Sequence, residues 1–325
     1  MNEENKKGDK NRPVLSLVVP MYNEEENVEV FYNRAKKVLD SMRITYEIVC
    51  VNDGSSDGTL EKLLAIRERD PCVKVIDFSR NFGKEIALTA GLDFAQGEAV
   101  IPIDADLQHP PEVIPELVAK WREGYEVVLA TRSKREGDGW LKSLTAHLFY
   151  RLASRIMSVR LPSNTGDFRL MNRQVVNVLR QIRERNRFMK GIFAWAGFRS
   201  ATVYYHVAPR HAGKTKWNYW KLWNFAIEGI TSFSYVPLQI ATYLGFIVAG
   251  FAFLYALVIV VKTLIFGKVV PGYASLMTVI LFLGGVQLVC IGILGEYVGR
   301  IYHEVKARPL YVVRKTWGFS NENDI

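Results

Sequence analysis

Two long apolar runs near the C-terminus constrain this chain more than any other feature. Pro237 to Val261 carries no charged residue, and neither does Val269 to Gly295. Each exceeds the roughly 20 residues that cross a bilayer as a helix. A helix apolar around its whole circumference belongs in lipid or in the core of a very large protein. The short link Lys262–Lys268 makes the pair a hairpin, with both outer ends on one side.

Basic residues set the expected orientation. Arg210, Lys214, Lys216 and Lys221 precede the first run, and Arg300, Lys306, Arg308, Arg314 and Lys315 follow the second. The link holds only Lys262 and Lys268. This asymmetry predicts that both termini, and everything before the hairpin, are cytoplasmic. The net charge of +9 is concentrated beside the apolar runs, which points to anionic headgroups rather than nucleic acid. The first twelve residues, MNEENKKGDKNR, have no apolar stretch, so they read as a disordered cytosolic tail and not as a signal peptide. Cys50, Cys72 and Cys290 are odd in number and far apart, which excludes a disulfide framework and a cysteine metal site.

Before the hairpin, apolar runs alternate with helical periodicity. Strands are predicted at Val14–Val19, Tyr46–Asn52, Val73–Phe78, Ala99–Ile103 and Val127–Thr131. Helices are predicted at Glu25–Met42, Thr59–Arg69, Glu85–Ala95 and Pro111–Trp121. This alternation implies an α/β domain with a mostly parallel sheet, whose ligands bind beyond the carboxyl ends of the strands.

Polar residues gather at those ends. The first strand runs into Pro20-Met21-Tyr22-Asn23-Glu24, the second into Asn52-Asp53-Gly54-Ser55, and the third into Asn81-Phe82-Gly83-Lys84. The fourth runs into Asp104-Ala105-Asp106. Two carboxylates one residue apart suit Mg²⁺, which takes one or two protein carboxylates and completes its shell with water and phosphate. No Gly-x-Gly-x-x-Gly follows a strand and no Walker lysine loop is present, which disfavours a dehydrogenase or a P-loop enzyme.

As a set, these motifs resemble the family 2 glycosyltransferases of GT-A fold. Asn164-Thr165-Gly166-Asp167-Phe168-Arg169-Leu170, Lys214-Thr215-Lys216-Trp217 and the two spans narrow the resemblance. It becomes one to polyisoprenyl-phosphate glycosyltransferases, bacterial relatives of dolichol-phosphate mannosyltransferase. The resemblance implies a UDP-sugar donor, a polyisoprenyl (undecaprenyl) phosphate acceptor, Mg²⁺ or Mn²⁺, and inverting transfer of a single sugar for cell-envelope glycan modification. Glucose, N-acetylglucosamine and a modified aminosugar all fit as donor sugar.

The resemblance also implies roles for residues. Pro20, Tyr22, Glu24, Asp53, Lys84 and Asp104 would bind the nucleotide sugar. Asp104 and Asp106 would hold the metal; Asp106, Asp167 and Arg169 would be catalytic. Arg210, Lys214 and Lys216 would grip the acceptor phosphate. A processive polysaccharide synthase would carry more spans and a Gln-x-x-Arg-Trp motif, and neither is present. A non-catalytic scaffold that binds nucleotide sugar or lipid is the other alternative.

The expected organisation is a tail at 1–12, a GT-A catalytic domain at 13–215, and a juxtamembrane interfacial helix at 216–235. Transmembrane helices at 236–262 and 269–295 and a cytoplasmic segment at 296–325 complete it. Trp140–Val159 has one apolar helical side, and Trp217–Phe225 is rich in aromatic and basic residues. Both read as helices lying in the membrane interface. Gly284, Gly285, Gly292, Gly295 and Gly299 offer small residues either to a second copy or to packing within the hairpin.

Overall fold

The computed structural model describes residues 12–132, 165–206 other than Asn186 and Phe188, 234–267 and 272–319. The expected helices at Trp140–Val159 and Trp217–Phe225 lie outside the described residues, as do Arg210, Lys214 and Lys216.

The chain begins β1 (Leu15–Met21), α1 (Glu25–Ser41), β2 (Tyr46–Asn52), α2 (Thr59–Arg69), β3 (Val73–Phe78) and α3 (Lys84–Phe94). Then come β4 (Ala99–Pro102), a 3-10 turn at Pro111–Val113, α4 (Ile114–Arg122) and β5 (Val127–Arg132). β6 (Thr165–Asn172), α5 (Arg173–Gln181), α6 (Met189–Trp195) and β7 (Ser200–Tyr205) follow. The last elements are α7 (Val236–Phe266), α8 (Tyr273–Val305) and β8 (Val313–Trp317).

The strands form one sheet in the order β7-β5-β6-β4-β1-β2-β3-β8. Its centre is parallel: β1 pairs with β2 and β4, and β2 with β3. β6 runs antiparallel to β4 and β5, and β8 antiparallel to β3, so the sheet is mixed toward both edges. A mostly parallel centre flanked by helices is the α/β architecture expected from the sequence.

The interior explains the register. Leu15, Leu17 and Val19 of β1 are buried with Phe31 and Leu39 of α1 and with Ile48 and Cys50 of β2. Burial pushes the Cys50 thiol up to about 12, so it is an inert core group. α3 lies hard against β1: a Cβ at Gly91 would stand 2.2 Å from Val18 Cγ1. No side chain larger than hydrogen fits there, which explains a glycine in mid-helix despite its conformational cost.

Asn172 caps α5 by accepting the Val175 N–H at 2.9 Å. The sequence predicts a single helix at Pro111–Trp121, whereas the chain makes a 3-10 turn before α4. Pro115 sits in the first turn of α4, where its missing N–H costs no helix hydrogen bond.

α7 and α8 form a unit of their own, while β8 belongs with the sheet. Both helices are longer than the apolar runs predict, continuing through Phe266 and Val305. Most of the Lys262–Lys268 link is therefore helical, because Thr263, Leu264, Ile265 and Phe266 continue the pattern of α7. Large apolar side chains of α7 face outward: Phe246 is 73% exposed and Leu264 81%. Apolar faces this extensive are built for lipid or for another protein, not for water. Tyr297 donates to the Ser234 carbonyl at 2.8 Å, and Arg300 pairs with Glu296 at 2.9 Å one turn away. A Cβ at Gly284, Gly285, Gly292, Gly295 or Gly299 would meet nothing within 4 Å. Among the described residues none of these glycines faces a close neighbour.

Candidate active site

The strand order reverses between β1 and β4, and a sheet of this kind opens its crevice at that reversal. The loops after β1 and β2 form one wall and are stitched to each other. Asn23 takes a left-handed conformation (φ 53°), its N–H donates to Ser55 Oγ at 3.0 Å, and its Oδ1 accepts the Ser56 N–H at 2.9 Å. The Glu24 N–H donates to Thr59 Oγ1 at 2.9 Å, and Asp57 accepts the Glu25 N–H at 3.2 Å. Tyr22 is exposed at this wall, and Glu24 accepts from Asn27 at 2.6 Å.

Asp53 reaches from the end of β2 to the next loop. Its two oxygens accept the N–H groups of Phe82 at 2.7 Å and Gly83 at 2.9 Å. Burial raises its carboxyl above the ordinary range, and the two backbone bonds hold it partly back. Gly54 beside it has φ +63°, and a Cβ there would stand 2.4 Å from the Arg80 carbonyl carbon. The β2 and β3 loops thus touch through backbone that only glycine permits.

Gly83 ends that loop and Lys84 opens α3. Lys84 Nζ lies 2.7 Å from Asp104 Oδ1, 2.9 Å from Asp104 Oδ2 and 3.0 Å from Asp167 Oδ2. Three predicted residues, from α3, the β4 loop and β6, therefore meet at one point. Burial alone would lower the basicity of Lys84, but the two carboxylates outweigh it and raise it.

Asp106 accepts the Gln108 N–H at 3.1 Å, and Leu107 between them is left-handed (φ 61°). Asp106 thus stands in a tight turn two residues beyond the Lys84-bound Asp104. Among the described residues no three His, Cys, Asp or Glu side chains converge to hold a metal alone. Two carboxylates are the usual protein share of a Mg²⁺ or Mn²⁺ that also takes water and phosphate oxygens. The donor set fits a cation shared with a diphosphate.

Arg169 is buried at 3% exposure. Its Nη2 donates to the Gly166 carbonyl at 2.6 Å, and the guanidinium lies 4.0 Å from the Phe193 ring centroid. Burial lowers its pKa to about 10, against the pull of Asp167 and Glu85. It braces the start of the strand that carries Asp167.

Three further residues line the same place without having been singled out in the sequence. His109 is packed against Phe168 and Tyr205 with ring centroids at 5.3 and 6.0 Å. Arg132, at the end of β5, has Nη2 3.4 Å from His109 Nε2. The Tyr205 hydroxyl is raised by burial, which its hydrogen bond with Arg132 offsets in part. The one available signal was position: His109 follows Asp106 closely and Arg132 comes directly after the predicted strand Val127–Thr131.

Comparison with known proteins places this geometry. Residues 16–180 match the model for glycosyl transferase family 2, and residues 236–301 match that of the GtrB C-terminal hairpin. The chain is 58% identical over 304 residues to an uncharacterized glycosyltransferase of Synechocystis sp., covering 94% of this chain and 96% of that protein. It is 53% identical over 302 residues to the SfII prophage-derived bactoprenol glucosyl transferase of Shigella flexneri, covering 93% and 98%. It is 46% identical over 307 residues to an uncharacterized glycosyltransferase of Bacillus subtilis, covering 94% and 95%.

Proposed function

The chain belongs to glycosyltransferase family 2, and from that premise we propose that it moves one sugar from a UDP-sugar to a polyisoprenyl phosphate. The transfer is inverting, uses Mg²⁺ or Mn²⁺ at Asp104 and Asp106, and takes place at the cytoplasmic face of a membrane. The observation that carries the reading is the meeting of Lys84, Asp104 and Asp167 in the crevice. The hairpin and the bactoprenol glucosyl transferase relatives support a lipid-phosphate acceptor.

A phosphate monoester has a second pKa of about 6, so near neutral pH the acceptor is largely dianionic. Its oxygen attacks the anomeric carbon without needing a general base. The bond from that carbon to the diphosphate breaks, and negative charge builds on the departing UDP. Asp167, already paired with Lys84, orients the sugar or acceptor rather than taking a proton. Lys84 is a cation positioned to follow the growing charge. Bound at Asp104 and Asp106, a divalent ion supplies Lewis-acid neutralisation of the same diphosphate.

Asp53 shapes the nucleotide pocket by holding Phe82 and Gly83, with Pro20, Tyr22 and Glu24 across from it. Arg169 fixes the backbone under Asp167. Arg210, Lys214 and Lys216 complete the reading as acceptor-phosphate ligands, by resemblance. Glucose, N-acetylglucosamine or a modified aminosugar is the transferred sugar, and self-association through the spans is part of the same proposal.

The test is transfer to a short polyprenyl phosphate from each of these UDP-sugars, with the lipid product weighed by mass spectrometry. One sugar per lipid is expected, and Asp106→Asn should reduce the rate by about 100-fold or more. A multi-sugar product would mean a processive synthase. Donor binding without turnover on any polyprenyl phosphate would mean a binding scaffold.

A further inference from the structure

His109 is polar, almost fully buried and beside the candidate metal carboxylates, yet neither the motif set nor the proposed chemistry uses it. Its side chain is 4% exposed. The ring lies nearly parallel to Phe168, at 23°, and edge-on to Tyr205, at 76°. Phe168 and Tyr205 also pack against each other, with centroids 5.7 Å apart. An imidazole packed in this way has its ring plane set by its neighbours, and its two nitrogens face different directions.

The two directions differ in charge. Nε2 faces Arg132 Nη2 at 3.4 Å, and Nδ1 faces Asp104 Oδ2 at 3.7 Å. A guanidinium only donates hydrogen bonds. Nε2 can answer Arg132 only with its lone pair. The single proton of a neutral imidazole then sits on Nδ1, toward the carboxylate. The opposite tautomer would set N–H against N–H at Arg132. A charged ring would place a further cation, buried, beside Arg132 and Lys84; burial opposes it first, and those two cations add to that against the pull of Asp104 and Asp106.

We propose that His109 is a positioning residue for Asp104, its Nδ1–H aimed at the carboxylate and its Nε2 lone pair at Arg132. The inference rests on the reading of Asp104 as a metal and diphosphate carboxylate. Among the described residues Nδ1 finds no hydrogen-bond partner, and Asp104 is instead held through both oxygens by Lys84. A ligand that draws the Lys84 ammonium toward its own negative charge frees one carboxylate oxygen. A small rotation then seats that oxygen on Nδ1–H and leaves the other aimed at the metal. Outer hydrogen bonds of this kind orient metal-ligating carboxylates and are worth about 10–100-fold in metal affinity.

The first measurement needs no metal. In the metal-free wild-type protein with ¹⁵N-labelled histidine, the signal lost in His109→Phe identifies His109. A protonated Nδ1 and bare Nε2 at neutral pH are expected; a protonated Nε2 or a doubly protonated ring overturns the proposal. The second measurement is Mn²⁺ affinity in the presence of UDP, by calorimetry and without turnover. His109→Phe keeps the stacking and loses the donor, so about 10–100-fold weaker binding is expected. His109→Asn sets an amide N–H near the place of Nδ1 and should stay within a few-fold of wild type. Equal affinity of His109→Phe and wild type overturns the proposal. Wild type that binds no Mn²⁺ defeats the metal reading of Asp104 and Asp106 instead, and the tautomer then decides for or against His109 alone.

Discussion

Lys84 Nζ lies 3.0 Å from Asp167 Oδ2, and the same ammonium binds Asp104 at 2.7 Å. A lysine at the start of α3 thus joins a strand-end aspartate to one on an antiparallel strand. Any cation drawn to Asp104 competes with it. Two unit charges 4 Å apart interact by about 4 kcal/mol at an effective dielectric of about 20. The Lys84 side chain is 47% exposed, so solvent removes a large part of that. Lys84→Met keeps the stem and deletes the charge. Mn²⁺ affinity without nucleotide should rise about tenfold, which is about 1.4 kcal/mol. Turnover should fall by about 10–100-fold, because the leaving diphosphate loses a counter-charge. Calorimetry with single-turnover rates measures both, and unchanged Mn²⁺ affinity would show that Lys84 does not compete.

Gly54 is the joint between the β2 and β3 loops. A Cβ there would press on backbone, 2.4 Å from Arg80 C and 2.6 Å from Asn81 N, and φ is +63°. Left-handed backbone costs a non-glycine residue about 1–2 kcal/mol before any clash. Gly54→Ala should lower stability by at least about 2 kcal/mol. It should also displace the Phe82 and Gly83 N–H groups from Asp53. Thermal unfolding and UDP affinity should fall together. A variant with wild-type UDP affinity would separate the loop contact from the nucleotide pocket.

The parallel centre of the sheet was legible because its strands are short apolar runs between turn formers. Tyr46–Asn52 and Val73–Phe78 match the prediction to the residue. The antiparallel edges were not legible. β6 reads TGDFRLMN, and with a glycine, an aspartate and an arginine in its first five residues it lacks the short apolar run that marks the central strands. β8 reads VRKTW, a charged edge strand that looks like solvated tail. Missing those edges hid part of the site as well. His109 reads as a lone surface histidine unless Phe168 on β6 and Tyr205 on β7 are known to enclose it.

Far from the crevice, Asp70 holds the end of α2 to α1. Its carboxylate accepts from Tyr32 OH at 2.8 Å, Lys36 Nζ at 2.8 Å and the Cys72 N–H at 2.9 Å. Burial alone would raise its pKa, but the bonds from Lys36, Cys72 and Tyr32 prevail and lower it. A folded pKa below the unfolded value of about 3.9 means stability is gained above that pH and lost as pH falls through the folded value. Asp70→Asn should cost about 1.5–3 kcal/mol at neutral pH. The gap to wild type should close as pH drops below about 4. Unfolding midpoints across that range measure it, and a gap independent of pH would assign the loss to packing instead.

The last strand returns the chain to the sheet after the hairpin. β8 pairs antiparallel with β3, matching Val75 to Trp317 and Asp77 to Lys315. Ser79 N–H donates to the Val312 carbonyl at 3.0 Å, and Tyr311 stacks on Phe78 at 5.3 Å. Tyr311 also donates to Asp93 at 2.9 Å, and Arg314 lies 3.4 Å from Asp77. The chain therefore leaves the sheet before α7 and returns to the same sheet after α8. A folded sheet cannot be shared across a bilayer, so a hairpin that spans one must deliver both ends to one side. Tags at the N-terminus and after Ile325 should be cleaved together in vesicles of one orientation and protected together in the other. Thr316→Pro, at a buried position of β8, disturbs the strand and should cost about 1–3 kcal/mol. The shared sidedness of the tags should survive it, because the two spans remain. Tags protected on opposite sides would break the link between the β3–β8 pairing and a twice-crossing hairpin.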